Sequence, residues 1–244
     1  MTQGHPEAEA IRAVAVEAAH EAGRLLMTMK PSGISSKSSA TDLVTDADRA
    51  SEKIIFDRIR AARPSDTVSS EEGSLFEGSS GVRWVIDPLD GTTNYAYGIP
   101  QWAISIGVEG RVCVGVIYDP NRDETFTDVS DLQPSTKTDL ATSLIATGFS
   151  YSPEIRRRQG LVASNVVSEV RDLRRAGAAA IDLAWVACGR VDGYYEDDTH
   201  PWDNTAGIAI IESAGGFVAK EGSMVIAAGT EELLSQLKQL VLEQ

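Results

Sequence analysis

From about residue 8 to residue 29 apolar side chains recur every three or four positions, at Ile11, Ala15, Ala18, Ala22, Leu25 and Met29. This spacing predicts a helix with one buried face, ended by Pro31-Ser32-Gly33. A second helix is predicted from near Asp46, carrying Ile54, Ile55 and Ile59 inward until Arg63-Pro64-Ser65 breaks it. Residues 37–45 read as extended or looped. The apolar run Trp84-Val85-Ile86 is stopped by Asp87-Pro88, so it reads as a strand that delivers Asp87 at its end. Residues 103–108 and 112–118 are β-rich and flank Glu109-Gly110-Arg111, the pattern of a hairpin.

A polar stretch at 128–139 divides the chain into halves of about 1–130 and 131–244 within a single domain. Beyond it the pattern predicts a strand at 144–147, helices at 154–170 and 178–188, and a strand at 193–196. Asp203 is expected to cap a helix that reaches Ser213 and stops at Gly215-Gly216, followed by a strand at 224–228 and a terminal helix. Helices and hairpins intermix without regular β-α-β alternation, which argues for layered α+β and against a doubly wound parallel sheet.

With 42% apolar residues among 244, the chain can bury a sizeable core. The formal charge of −14 repels polyanions, so no nucleic-acid partner is expected. Arg156-Arg157-Arg158, the tight basic cluster, reads as a solvated helix face. An acidic protein that handles a phosphate has to neutralise carboxylates, and divalent cations do this directly. Cys113 and Cys188 form no C-x-x-C pair and read as buried, reduced residues. The N-terminus has no basic start followed by an apolar block, and no run approaches the ~18 apolar residues of a membrane span. A cytoplasmic protein with no membrane partner is the expectation.

Candidate chemistry centres on Asp87-Pro88-Leu89-Asp90-Gly91-Thr92-Thr93-Asn94. Two carboxylates three residues apart in one turn can aim at one point, and the Leu89 carbonyl adds a third oxygen of the kind magnesium takes. The amides of Gly91 to Thr93 can cradle a phosphate beside them. Alone, D-x-x-D-G is equally an ordinary loop. Its company is Asp46-Ala47-Asp48, Glu71-Glu72-Gly73 and Trp202-Asp203, each of which also reads as a helix cap or a solvated loop. Asp46-Ala47-Asp48 has the spacing of an aspartyl-phosphate phosphatase but lacks the preceding apolar strand.

Across nearly its whole length the sequence resembles the inositol monophosphatase family. The likeness is carried by Asp42-Leu43-Val44-Thr45 through Asp48 and Glu52, by Glu71-Glu72, by the run from Trp84 to Asn94, and by Trp202-Asp203 with Ala214-Gly215-Gly216. It implies a five-layer α-β-α-β-α sandwich, commonly a homodimer, that hydrolyses a small phosphate monoester with two or three Mg2+ ions. By the same resemblance Glu71, Asp87 and the Leu89 carbonyl hold one ion, and Asp87, Asp90 and Asp203 hold a second. Asp48, Thr92 and Glu71 orient and activate the attacking water, and Lys37 matches a nearby lysine. The substrate side comprises Asp90, Gly91, Thr92, Thr93, Gly177, Ala178, Ala179, Glu196 and Asp203.

The implied substrate is inositol 1-phosphate or a similar polyol or sugar phosphate. Alternatives are fructose-1,6-bisphosphate, 3′-phosphoadenosine 5′-phosphate, NADP, histidinol phosphate, or a regulatory binding role on the phosphatase fold. Glu196 reads either as an acceptor for vicinal hydroxyls or as an exposed strand-end acid. His200 reads as structural because magnesium prefers oxygen, and Tyr97, Trp102, Trp185 and Trp202 read as core or wall. Between Phe126 and Leu144 the chain lacks a longer hairpin that many relatives carry.

Overall fold

The computed structural model describes residues 5–30, 35–36 and 43–243; Lys37 lies outside them. The first amphipathic stretch is helix α1 (Pro6–Thr28), with Pro6 in its first turn, where a missing N–H costs nothing, and His5 accepting from the Glu7 amide. Strands β1 (Ser35–Ser36) and β2 (Leu43–Val44) pair antiparallel. Helix α2 (Asp46–Ala62) starts on a capping box between Thr45 and Asp48.

Strands β3 (Thr67–Ser70), β4 (Leu75–Phe76) and β5 (Val82–Asp90) follow, then the short helix α3 (Thr92–Ala96) and strands β6 (Ala103–Gly110), β7 (Val114–Asp119) and β8 (Glu124–Thr127). They form a six-stranded sheet in the order β4-β3-β5-β6-β7-β8. Only β3 and β5 run parallel within it. Further along come β9 (Leu144–Thr147), α4 (Pro153–Glu169), β10 (Asp172–Arg174), α5 (Ala179–Ala187) and β11 (Gly193–Glu196). Helix α6 (Pro201–Ser213), strands β12 (Phe217–Glu221) and β13 (Met224–Ala228), and helix α7 (Glu231–Leu242) complete the chain. The second sheet has five strands in the order β10-β9-β11-β13-β12.

Three apolar clusters stack these elements into an α-β-α-β-α sandwich. The first joins Ile11, Ala15 and Ala22 of α1 and Ile55 and Ile59 of α2 to Trp84, Ile104 and Val116 of the six-stranded sheet. The second fills the middle layer, where Leu183 of α5 and Ile210 of α6 pack between Ile117 and the second sheet's Tyr194 and Ala227. The third sets Val166 of α4 and Leu237 of α7 against Ile145 and Ile226. The expected α+β sandwich is the observed fold.

Several local readings need correction. Strand β5 does not stop at Asp87-Pro88 but continues to Asp90, because a register shift against β6 between Asp87 and Asp90 accommodates the proline. Asp203 is not the cap of α6; His200 occupies that place, Pro201 follows, and Asp203 sits in the first turn. The pattern gives no signal for strands β3, β8, β10 and β12, which are short and largely polar on one face, nor for β4, which is two residues long. Cys113 is exposed and Cys188 half-buried, so neither is a core thiol. Tyr97 is exposed and belongs to neither core nor wall.

Helix α6 lies on β6 and β7 through glycine. A Cβ at Gly115 would fall 2.3 Å from the Ala206 carbonyl oxygen, and one at Gly107 would fall 2.6 Å from Thr205 Cγ2. Backbone cannot yield as a side chain can, so Gly115→Ala is expected to lift α6 from the sheet. Denaturant unfolding should register a loss of about 1–3 kcal/mol, the usual effect of overpacking a close contact.

Candidate functional site

Parallel pairing of β3 with β5 brings two distant acids side by side. Ser70 is registered with Ile86, and the Glu71 amide donates to the Ile86 carbonyl at 3.1 Å, so Glu71 leaves its strand next to Asp87. The turn after Glu71 is held by Glu52 of α2, whose Oε1 accepts from the Ser74 amide. On the other side Asp87 is registered with Ser105 of β6, whose hydroxyl donates to the Trp202 carbonyl at 3.4 Å. That contact carries Asp203 toward the same point.

The bulged end of β5 is fixed from three directions. Ser51 of α2 donates to the Pro88 carbonyl at 2.6 Å. Asp90 reaches across to α5, its carboxylate accepting from the Ala179 and Ala180 amides at 3.2 and 2.8 Å. The helix start places partial positive charge beside that carboxylate. Gly91 turns with φ 90°, and a Cβ there would come within 2.9 Å of the Gln101 carbonyl oxygen. Asn94 then ties the turn to both flanks, donating to the carbonyls of Gln101 at 2.7 Å and Ala176 at 2.9 Å.

Asp48 is fully buried, and its Oδ2 accepts from the Thr45 amide and hydroxyl at 2.7 and 2.6 Å. Its Oδ1 faces the Thr92 hydroxyl at 2.9 Å, which also lies 3.0 Å from the Leu89 carbonyl. With one proton to give, Thr92 favours the stronger acceptor, the carboxylate. The Leu89 carbonyl is then left with lone pairs to offer.

Burial and mutual repulsion dominate the electrostatics. Burial first, then the charges of Glu71, Asp90 and Asp203, push the Asp87 carboxyl well above the usual carboxylate range. Burial also raises Asp90 to about 7, against the pull of the Ala180 and Ala179 amides. Asp203 is raised by burial and by Glu71, Asp90 and Glu196, while the His200 amide at 2.6 Å opposes the shift. Four acids thus repel one another around one point. Among the described residues no three His, Cys, Asp or Glu groups are drawn tightly enough to hold an ion as they stand. Asp87, Asp90 and Asp203 instead hold backbone amides, Asp87 that of Leu89 at 3.0 Å. The donor set, all oxygen and mutually repelling, fits a hard divalent cation.

Glu71, Asp90 and Asp203 line a cavity of about 480 Å³ together with Gly91, Gly177, Ala178, Ala179 and Glu196. Thr92 and Thr93 lie just behind it, at the start of α3. Glu196 is not an exposed strand-end acid. The Tyr194 hydroxyl donates to it at 2.8 Å, and its carboxylate packs so closely on Gly148 that a Cβ there would fall 2.0 Å away. Burial raises its pKa, opposed by Tyr194 and Arg175. His200 and Trp202 also line the cavity, stacked with centroids 4.8 Å apart.

Sequence reasoning did not single out Ser51, Gly148, Arg175 or Asp182. Asp182 carried a legible signal, a lone acid in the apolar run Ala178-Ala179-Ala180-Ile181-Asp182-Leu183-Ala184. The others depend on which segments meet in three dimensions.

Comparison with known proteins places the chain in a family. Residues 7–238 match the inositol monophosphatase family. The chain is 40% identical over 222 residues to Nus factor SuhB of Escherichia coli, covering 84% of this chain and 83% of that protein. It is 38% identical over 242 residues to inositol-1-monophosphatase of Synechocystis, covering 91% and 83%. Among solved structures, the extragenic suppressor protein suhB from Bartonella henselae superposes with a TM-score of 0.89 at 37% identity, covering 96% of this chain and 99% of that one. The chain belongs to the inositol monophosphatase family.

Proposed function

We propose that this protein is a Mg2+-dependent phosphatase that hydrolyses a small polyol or sugar monophosphate, with inositol 1-phosphate the leading candidate. The observation that carries the reading is the convergence of Glu71, Asp87, Asp90 and Asp203, from three separate segments, at a cavity that Glu71, Asp90 and Asp203 line. Buried like charges of this kind are costly unless a cation or protons offset them. On this reading Glu71, Asp87 and the Leu89 carbonyl would hold one ion, and Asp87, Asp90 and Asp203 would hold another. Bound ions supply Lewis-acid charge at the phosphoryl oxygens and a nucleophilic water at neutral pH.

The chain's own groups then have defined work. The Thr92 hydroxyl donates to Asp48 Oδ1, so its free lone pairs can accept a proton from a neighbouring water as its own moves to Asp48. Asp48 Oδ2 is saturated by Thr45, which holds the carboxylate in place. The Gly91–Thr93 turn meets the phosphate, and Gly177, Ala178, Ala179 and Glu196 receive the alcohol. Small side chains at the start of α5 let a ring approach the backbone.

A second reading, regulatory action on another macromolecule, is favoured by one observation: relatives near 40% identity bear the name Nus factor. It is compatible with catalysis. Among the described residues no helix is long and apolar enough to cross a membrane.

Asp90→Asn is expected to lower Mg2+-dependent phosphate release from inositol 1-phosphate by more than about 100-fold, since even changes behind a metal's ligands cost 10–100-fold. Unchanged release in this variant would remove Asp90 from the metal site, and no release by the parent protein from a polyol-phosphate panel would remove the phosphatase reading. A cellular phenotype that survives Asp90→Asn would instead assign that phenotype to regulation.

A pH dependence follows from Asp90. A carboxyl raised to about 7 in the fold contributes stability that is fully present below its unfolded value of about 4 and is lost as pH rises through about 7. Without metal, the repulsion is greatest in the alkaline arm, where the ligands are also free of protons and bind cations best. The rise in Tm on adding Mg2+ should therefore be larger at about pH 8 than at about pH 5.5. Equal shifts at both, in a differential scanning measurement, would contradict a metal-binding cluster.

A further inference from the structure

The cavity contains a second buried acid that the phosphatase chemistry leaves unused. Asp182 lies in the first turns of α5, two residues beyond the amide that holds Asp90, and is only 2% exposed. It lines the same cavity as Glu196. Among the described residues its Oδ1 has no hydrogen-bond partner, although that atom is shut off from solvent. The rest of α5 is apolar and packs into the middle layer, so nothing in the packing of the helix calls for an acid at this place.

An unsatisfied buried carboxyl oxygen costs about 1–3 kcal/mol or more, and a turn of the Asp182 carboxyl toward the cavity it lines would let a ligand hydroxyl satisfy it. Glu196 lies close enough that its charge bears on both Asp182 and Asp90, and Asp90 adds to the field at Asp182. Arg175 is the one lysine or arginine among the described lining residues. Such a wall welcomes neutral hydroxyls, which can donate to one carboxyl and accept from a protonated one. It discourages a second anionic group on the substrate.

We infer that Asp182 is a specificity-determining residue that, together with Glu196, receives hydroxyl groups on the alcohol portion of a polyol monophosphate. This assignment rests on the phosphatase reading above and names the feature of the substrate that reading leaves open. An ordered water is the alternative filling for the orphaned oxygen, and it would make Asp182 indifferent to what the substrate carries.

The test compares two esters on the parent protein, Asp182→Asn and Asp182→Ala, all with Mg2+. Inositol 1-phosphate presents a ring of hydroxyls, and p-nitrophenyl phosphate presents none. The expected result for both variants is a KM for inositol 1-phosphate raised about tenfold or more, the loss of roughly one hydrogen bond to a charged or buried partner. The kcat for that ester, and kcat/KM for p-nitrophenyl phosphate, should stay within about threefold. Asp182→Asn preserves shape, so it keeps the test decisive if Asp182→Ala does not fold. Equal losses on both esters, a fall in kcat alone, or no change on either would overturn the assignment while leaving the phosphatase reading intact. A parent protein inactive on both esters would overturn the two together.

Discussion

The structure is organised around a repulsion. Asp87, Asp90 and Asp203, with Glu71 beside them, are brought together where water is largely excluded, and an effective penalty of several kcal/mol attends each buried charge that finds no partner. In the fold as it stands the tension is relieved by backbone amides. Leu89 donates to Asp87, the first residues of α5 donate to Asp90, and His200 donates to Asp203. Much of the architecture serves to bring those donors to that spot. The one parallel strand pair in the six-stranded sheet puts Glu71 beside Asp87, and the glycine-mediated seat of α6 on β6 and β7 supplies Asp203. An amide-held acid is poised for exchange, since a divalent cation offers the same oxygen a stronger partner.

Behind the clustered acids stands a network of lesser contacts that keeps them from drifting. Ser51 holds the Pro88 carbonyl, Glu52 holds the turn after Glu71, Thr45 saturates one oxygen of Asp48, and Asn94 stitches the Gly91 turn to the approach of α5. None of these four needs to touch substrate. They fix the angles at which Asp48, Thr92 and Asp90 meet the cavity, and a site of this kind tolerates little misplacement. The rest of the cavity lining is built by another economy of space: Gly148 lets Glu196 lie flat against the backbone, and small residues from Gly177 to Ala179 open room in the same cavity.

How much of this was legible in the sequence depended on whether the signal was local. Helices α1, α2, α4 and α7 announced themselves through periodicity, and strands at 193–196 and 224–228 through short apolar runs with clear stops. Strands such as β3 and β12 gave no such signal, because Thr67-Val68-Ser69-Ser70 and an edge strand with most of its face in solvent are held by neighbours and not by their own hydrophobicity. Pro88 read as a stop, yet a register shift against β6 lets the strand run on and aim both Asp87 and Asp90. At the site, composition and spacing marked the acids as candidates, and the family likeness implied their grouping. Their amide partners stayed invisible, since the identity of a donor such as the Ala180 N–H is written in topology. Asp182 lay between these cases: an acid misplaced in an apolar helix was visible, and the cavity that explains it was not.

The central claim is that the acids around Asp87 form a divalent-cation site. Its most direct measurement is crystallographic, from crystals grown with Mn2+ in place of Mg2+ and with diffraction recorded for anomalous scattering. The account predicts at least one anomalous peak bridged by Asp87 and shared with Glu71 or with Asp90 and Asp203, with the carboxylates turned off their amide partners. A cavity without anomalous signal in millimolar Mn2+, its carboxylates still bound to the amides of Leu89, Ala180 and His200, would contradict it.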